Sequence, residues 1–292
     1  TQQSQIDFSF TEPYLMGREV SGGLDVFHTR QDLQNSSSID TSRTGFRLRT
    51  GYRFTERLGQ HWRYTIKRSK IDDVSTSAAA LIQAELGTKY ISEISHSIKY
   101  DDLDSRLNPT EGFATSLRTD IAGLGGNAKH FRNTLLGSYY YPVFDDWTLM
   151  FGGKTGYIMA LGKDIGFQER YFIGGDDLRG FATSGVGPRD TPTGDSLGGE
   201  WVYSGTVTLN FPIGLPKEFE IKGRIFTDFG SSGSLDPSDA NTKDTGSLRA
   251  SSGVGVTWQS PFGPLGMDAG FPILKEDFDV TEVFRINFGT QF

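Results

Sequence analysis

Residues 283–292 read VFRINFGTQF, and apolar and polar side chains alternate along them. Successive side chains of a β-strand point to opposite faces, so this segment gives a strand with one apolar and one polar face. The apolar face carries Phe284, Ile286, Phe288 and Phe292. Such a strand separates an apolar environment from an aqueous one.

The same period of two recurs along the whole chain, for example in residues 200–211, which read EWVYSGTVTLNF. We therefore predict an all-β fold with about 13 strands, whose ends are uncertain by a few residues. The predicted ranges are 4–12, 20–29, 42–54, 59–70, 88–100, 112–122, 130–142, 147–158, 200–211, 220–230, 247–260, 264–271 and 281–292.

The composition is compatible with a protein that crosses a membrane with strands. The chain has 292 residues, a formal net charge of -7, a mean hydropathy of -0.38 and no cysteine. No segment approaches the roughly 18 consecutive apolar residues of a membrane helix. Alternating strands keep the mean hydropathy low even in lipid, because half of their side chains face water. The predicted fold is a transmembrane antiparallel β-barrel without disulfides or thiolate metal sites.

The predicted connections fall into a short set and a long set. Short ones lie at 55–58, 143–146 and 261–263, and long ones at 71–87, 159–199 and 231–246. Outer-membrane barrels have short periplasmic turns and longer external loops, so we assign the two sets to those two sides. Single-chain bacterial barrels usually have an even number of strands, and an odd count suggests that the barrel is partial.

The connection 159–199 is unusual because a loop of about forty residues in a compact fold is usually functional or disordered. Residues 169–181 within it read ERYFIGGDDLRGF. Arg179 lies between the apolar residues Leu178 and Phe181, with Gly180 beside it. A guanidinium in this setting is suited to a loop tip that folds into a polar lumen and meets a carboxylate there.

The sequence Leu178-Arg179-Gly180-Phe181 resembles the loop signature of the BamA-type family of outer-membrane protein assembly factors, whose usual form is Val-Arg-Gly-Phe. Residues 258–265, WQSPFGPL, also match the family pattern. The resemblance implies a barrel of about sixteen strands. Residues 1–292 would then be a partial barrel domain that lacks the first strands and the periplasmic POTRA repeats, with loop 159–199 folded into the lumen.

The family also implies an anchor for the loop in the barrel wall. An acid precedes a glycine at a strand end in the family, and residues 226–230, FTDFG, place Asp228 at that point. We predict an ion pair between Arg179 and Asp228. A second wall acid is common on the preceding strand, where Asn210 stands in this chain, so we expect a weaker second contact from Asn210.

The implied function is assembly and insertion of other outer-membrane β-barrels at a seam that involves the last strand. An unpaired strand edge is costly in lipid, so a client barrel needs a template edge on which to form its hydrogen bonds. Gly289, near the end of the last strand, would weaken packing at the seam, and Phe292 is an interfacial aromatic or recognition residue. The implied partners are the lipid bilayer, unfolded client proteins and accessory lipoproteins, and the implied location is the Gram-negative outer membrane.

Two other functions explain part of the pattern: a secretion or translocation transporter of the FhaC or TamA kind, and a passive porin. The histidines His28, His61, His96 and His130 are isolated in sequence, so we expect no catalytic residues, no metal and no cofactor. The acidic net charge is unfavourable for nucleic-acid binding. Arg47, Arg49 and Arg53 share one strand face and fit a polar barrel interior.

Overall fold

A computed structural model describes residues 2–260 and 263–288 of the chain. In this part of the chain, thirteen strands form one antiparallel sheet in which each strand pairs with its neighbours in sequence. The strands are β1 (Gln2–Glu12), β2 (Val20–Asp32), β3 (Asp40–Arg53), β4 (Leu58–Asp72), β5 (Gly87–Leu103), β6 (Gly112–Gly126), β7 (His130–Phe144), β8 (Trp147–Ala160), β9 (Trp201–Pro212), β10 (Ile221–Gly233), β11 (Arg249–Ser260), β12 (Gly263–Leu274) and β13 (Phe284–Phe288). The predicted all-β fold and strand count are confirmed.

The last predicted strand differs from the structure. Residues 281–292 were expected to form one strand, but Thr281–Glu282 pairs with Gly180–Phe181 in a separate two-residue ladder, and β13 begins after it. The alternation of residue types continues across both pieces, so the sequence pattern does not show that the first piece leaves the main sheet. A further two-residue ladder joins Arg189–Asp190 to Thr242–Lys243.

The helices in the described residues are short. They are the α-helices Gln34–Ser37 and Ala80–Gln83 and the 3₁₀ turns Leu15–Gly17, Phe167–Glu169 and Lys217–Phe219. None of the helices in the described ranges has the length and apolar composition needed to cross a bilayer.

The sheet curves around the connection between β8 and β9, residues 161–200, which we call the lumenal loop. Arg43 of β3 and Arg132 of β7 donate hydrogen bonds to this loop. Asp228 of β10, on another side of the same loop, accepts one from it. Strands this far apart in the sheet reach a single loop only if the sheet encloses it, so the face they share lines a lumen.

The two faces of the sheet have the composition predicted for a barrel in lipid. On β3, Arg47 and Arg49 point inward and form ion pairs with the buried Asp25 of β2, with the Arg49 Nη2 atom 2.8 Å from Asp25 Oδ1. Phe46 and Leu48 alternate with them on the outer face and are exposed. The outer face therefore carries apolar side chains where lipid would lie.

The connections alternate between the two ends of the sheet. One end carries 13–19, 54–57, 104–111, 145–146 and 213–220, and we call it the turn end. The opposite end carries 33–39, 73–86, 127–129, the lumenal loop, 234–248 and 275–283, and we call it the loop end. The predicted division into short and long connections holds for most of them, with 127–129 as a short link at the loop end.

The loops at the loop end pack on one another through an apolar cluster. Ile39, Ile82, Phe167 and Leu235 come from four different connections and are all buried in it. Asp195 of the lumenal loop joins two of the others, because its carboxylate accepts hydrogen bonds from Ser38 Oγ at 2.7 Å and from the Ala79 backbone NH at 2.8 Å. The lumenal loop is thus held at its loop-end side as well as inside the barrel.

Adjacent leucines in the middle of β7 offer a test of which face meets lipid. Leu135 lies on the outer face, while Leu136 shares its parity with Thr134, whose hydroxyl contacts Tyr171 of the lumenal loop. A charge on the lipid face is costly, so Leu135→Arg should lower the free energy of unfolding in bilayers by about 2–4 kcal/mol. Leu136→Arg should change it by less than about 1 kcal/mol. Urea titration of both variants in liposomes checks this, and equal losses would contradict the assignment of faces.

Candidate functional site

The lumenal loop is an ordered part of the barrel interior. Leu178 and Phe181 are fully buried, and Arg179 is only 5% exposed. The apolar side chains of the loop and the adjoining strands form a buried cluster of Ile158, Ile165, Tyr171, Ile173, Leu178, Phe181, Val186 and Val202. Arg170 ties the loop to itself, because its guanidinium donates to the carbonyl oxygens of Ile165 and Leu197.

The tip of the loop is bound to the wall through Arg179 and Asp228. Arg179 donates from Nε to Asp228 Oδ2 at 2.8 Å and from Nη2 to Oδ1 at 2.7 Å, and its backbone NH donates to Oδ2 at 3.0 Å. Asp228 is 1% exposed. The predicted ion pair is therefore present as a two-pronged, charge-assisted contact away from water, which is the stronger kind of hydrogen bond between side chains.

Further contacts of the guanidinium come from β9 and β10. Its Nη2 atom donates to Thr206 Oγ1 at 2.9 Å and to Thr208 Oγ1 at 3.3 Å. Its central carbon lies 3.5 Å from the centre of the Phe226 ring, so the cation also stacks on an aromatic face. The two hydroxyls thus add to the hydrogen bonds of Nη2, and the ring covers one face of the guanidinium plane.

The prediction that Asn210 supplies the second wall contact is wrong. Thr206 is the residue of β9 in register with Asp228, whereas Asn210 is in register with Arg224, two inward positions beyond Thr206. In the described chain Asn210 makes no hydrogen bond to the lumenal loop. Residues 204, 206, 208 and 210 share one face by parity, and only the pairing register decides which of them lies opposite Asp228.

A second carboxylate, which was not predicted as a site residue, reaches the site from β12. Asp268 of β12 lies 3.9 Å from Arg179 Nη1 and is bound by Arg224 of β10, from Nε and Nη2, both at 2.6 Å. The site thus contains two buried cations and two buried carboxylates. Asp268 stands on the inward parity of its strand, which was the available signal, but its distance from Arg179 depends on the curvature of the sheet.

Two glycines let the loop backbone lie against the wall. Gly180 adopts a φ of +91°, in the left-handed region that side chains disfavour. Opposite it, a Cβ atom on Gly270 of β12 would lie 2.6 Å from the Gly180 nitrogen. The Ser251 hydroxyl of β11 donates to the Arg179 carbonyl oxygen in the same place. The wall is therefore shaped to receive the main chain of the tip.

The predicted seam residues are placed in part. Phe284 and Ile286 of β13 point outward and are 76% and 63% exposed. Phe288 pairs with Leu265 in the β12–β13 ladder. Gly289 and Phe292 lie outside the described residues. Within residues 2–260 and 263–288, no three His, Asp or Glu side chains are placed to hold a metal ion.

Residues 194–198 of the lumenal loop read GDSLG and so match the Gly-x-Ser-x-Gly pattern of serine hydrolases. In those enzymes the serine stands at a sharp turn between a strand and a helix. Ser196 instead lies in a connection without such a helix, is 1% exposed, and donates its backbone NH to the Ser36 carbonyl oxygen at 2.9 Å. Its position indicates a role in packing the loops together.

Removing the anchor should cost much more stability than removing the side chain of Asn210. Arg179→Ala leaves Asp228 buried without its partner and should lower the free energy of unfolding by about 3–5 kcal/mol. Asn210→Ala, on the same inner wall, should change it by less than about 0.5 kcal/mol. Urea unfolding of each variant in liposomes gives both values, and similar losses in the two variants would show that the ion pair is not the main anchor.

The Omp85 superfamily domain matches residues 1–292 of the chain. A relative named outer membrane protein assembly factor BamA, from Neorickettsia risticii (strain Illinois), is 28% identical over 291 residues, which cover 98% of this chain and 38% of the relative. The chain thus spans about two fifths of the length of that relative.

Solved structures share the fold. BamA from Haemophilus ducreyi lacking POTRA domains 1–3 matches with a TM-score of 0.86 and 21% identity, over 97% of this chain and 61% of that chain. CdiB from Acinetobacter baumannii matches with a TM-score of 0.58 and 12% identity, over 98% of this chain and 50% of that chain. Because the family match extends over every residue of the sequence, this chain belongs to the Omp85 superfamily.

Proposed function

We propose that this chain is the membrane-embedded part of an outer-membrane protein assembly factor, which helps other β-barrel proteins to fold into the membrane. The observation that carries the proposal is the Leu178–Phe181 tip, held inside the barrel by the buried pair of Arg179 and Asp228. The name of the Neorickettsia risticii relative, which matches 98% of this chain, supports the same function.

The proposed mechanism follows from the cost of unpaired backbone groups in lipid. Each unsatisfied NH or C=O group costs several kcal/mol there, so a client gains most from an edge on which its strands can pair one at a time. Among the described residues, β1 and β13 are the edge strands of the sheet, and each is paired on one side only. A strand that is paired on one side only is the part of a sheet that can open at the lowest cost.

The proposed setting and partners follow from this role. The turn end of the barrel faces the periplasm of a Gram-negative bacterium and the loop end faces the cell exterior. The partners are the lipid bilayer, unfolded outer-membrane proteins and accessory lipoproteins of an assembly complex. The chain acts without a covalent step, because its contribution is to offer backbone partners and a favourable membrane environment, so we propose no enzymatic activity.

The alternatives have less support. The fold of this chain is more similar to that of an assembly factor, because the TM-score is 0.86 with BamA from Haemophilus ducreyi and 0.58 with CdiB, over nearly the same share of this chain. This favours an assembly factor over a transporter. A passive porin needs an open lumen, whereas the lumenal loop with its buried tip occupies the interior of this barrel.

Reconstitution tests the proposal. Full-length protein carrying this chain, in liposomes, should accelerate the folding of an unfolded client barrel, followed by its shift in gel mobility. Arg179→Ala should reduce the acceleration by about tenfold, equivalent to about 1.4 kcal/mol of lost stabilisation. Asn210→Ala is the matched control and should retain it. Steady ion conductance without any acceleration of client folding would contradict the proposal and favour a porin.

A further inference from the structure

The last strand, β13, is bound from inside the barrel by the lumenal loop and its anchor. Two side chains of β13 described in the structure face the lumen, Arg285 and Asn287. Arg285 contacts the loop, with Nη2 3.3 Å from Thr183 Oγ1 and Nη1 3.6 Å from Asp176 Oδ1. Asn287 donates from Nδ2 to Asp268 Oδ2 at 3.2 Å. Each of these inward side chains therefore ends on the loop or on the cluster that anchors it.

The backbone just before β13 is also paired with the loop. Thr281–Glu282 forms an antiparallel ladder with Gly180–Phe181. The ladder is extended by hydrogen bonds from the Ala182 NH to the Val280 carbonyl and from the Val280 NH to the Gly185 carbonyl, both at 2.9 Å. The residue next to Arg179 along the chain thus belongs to the ladder that leads into the last strand.

Asp268 is the point at which the loop anchor and the last strand meet. Its carboxylate is bound by the guanidinium of Arg224 and the amide of Asn287, and it lies 3.9 Å from Arg179. It is 4% exposed, so its loss would leave two buried cations with one carboxylate between them. Two features therefore depend on the Asp268 side chain: the charge balance that keeps the loop tip at the wall, and the hydrogen bond from the Asn287 amide of β13.

These inner contacts matter more for β13 than for an interior strand. Within the described residues β13 is paired on one side only, with β12, whereas an interior strand such as β12 is paired on both sides. Its outward side chains Phe284 and Ile286 are mostly exposed and so gain little from packing within the chain. Contacts through the lumen are then a large share of what orders this strand.

We propose that the docked lumenal loop holds β13 in register from within the barrel, and that Asp268 is the positioning residue that transmits the state of the loop to this strand. Undocking of the tip frees β13, and by thermodynamic reciprocity loosening of β13 weakens the docking of the tip. The inference concerns the strand itself, and only its bearing on client folding rests on the proposed function.

Amide hydrogen exchange of the full-length protein in lipid bilayers tests the proposal. Asp268→Asn, which keeps the shape of the side chain, should raise exchange about tenfold or more in the peptide containing residues 280–288, with little change in β2. Asn287→Ala leaves all four charges of the anchor in place and should raise exchange in that same peptide. Asp25→Asn is the matched control, because Asp25 is a buried inner-wall carboxylate paired with Arg49 on β2. It should leave residues 280–288 unchanged.

Reciprocity gives the second arm of the experiment. The chain has no cysteine, so Met267→Cys with Ile286→Cys introduces a single pair of facing thiols on the outer face of β12 and β13. In the Asp268→Asn background, closing this disulfide should slow exchange of residues 180–185 by several fold compared with the reduced protein. Unchanged exchange of residues 280–288 in Asp268→Asn, or an equal rise in β2, would overturn the proposal.

Client folding is measured on the same samples to separate the two proposals. Faster exchange of β13 in Asp268→Asn supports the strand inference whether or not client folding changes. If the unsubstituted protein does not accelerate client folding, the proposed function is contradicted, and the exchange result still supports the inference about β13.

Discussion

The structure depends on one buried ion pair. Arg179 and Asp228 are both almost fully removed from water, and a charge in that setting is stable only if a partner and further hydrogen bonds compensate for its lost hydration. The two-pronged contact, the hydroxyls of Thr206 and Thr208, and the ring of Phe226 supply that compensation to the guanidinium. Withdrawal of the loop would leave Asp228 in the wall without its partner, so the pair keeps the loop inside the barrel.

The barrel wall has the composition that this interaction requires. Arg224 and Asp268 add a second pair of opposite charges, so the buried cluster is balanced overall. Gly270 leaves room for the loop backbone, and Gly180 supplies the left-handed conformation with which the tip turns. A larger residue at either position would push the guanidinium away from its carboxylate. Glycine lowers the stability of a strand, but Gly270 permits the close approach of the loop backbone on which the anchor depends.

The strands and the contact between Arg179 and Asp228 could be predicted from the sequence. The contacts that depend on strand register or on the curvature of the sheet could not. Period-two alternation located thirteen strands because lipid on one side and water on the other select side chains residue by residue. Arg179 and Asp228 were paired from a family resemblance. The resemblance predicts Asn210 as the second wall contact, but it does not give the pairing register, which places Thr206 opposite Asp228. Asp268 is not predicted, because its distance from Arg179 depends on the curvature of the sheet. The sequence predicts Thr281–Glu282 as the start of the last strand, because residues that pair with the lumenal loop show the same alternation as residues that pair within the main sheet.

The loop at the centre of the barrel joins parts of the molecule that are distant in sequence. It packs against the connections at the loop end through Asp195, binds β10 and β12 through Arg179, and pairs with the residues before β13. A structure of the full-length protein in lipid nanodiscs is the most direct test of this account. It should place Arg179 Nη2 within hydrogen-bond distance of Asp228 Oδ1, at 2.7 Å as found here. A lumenal loop lying outside the barrel, with Asp228 open to water, would contradict it.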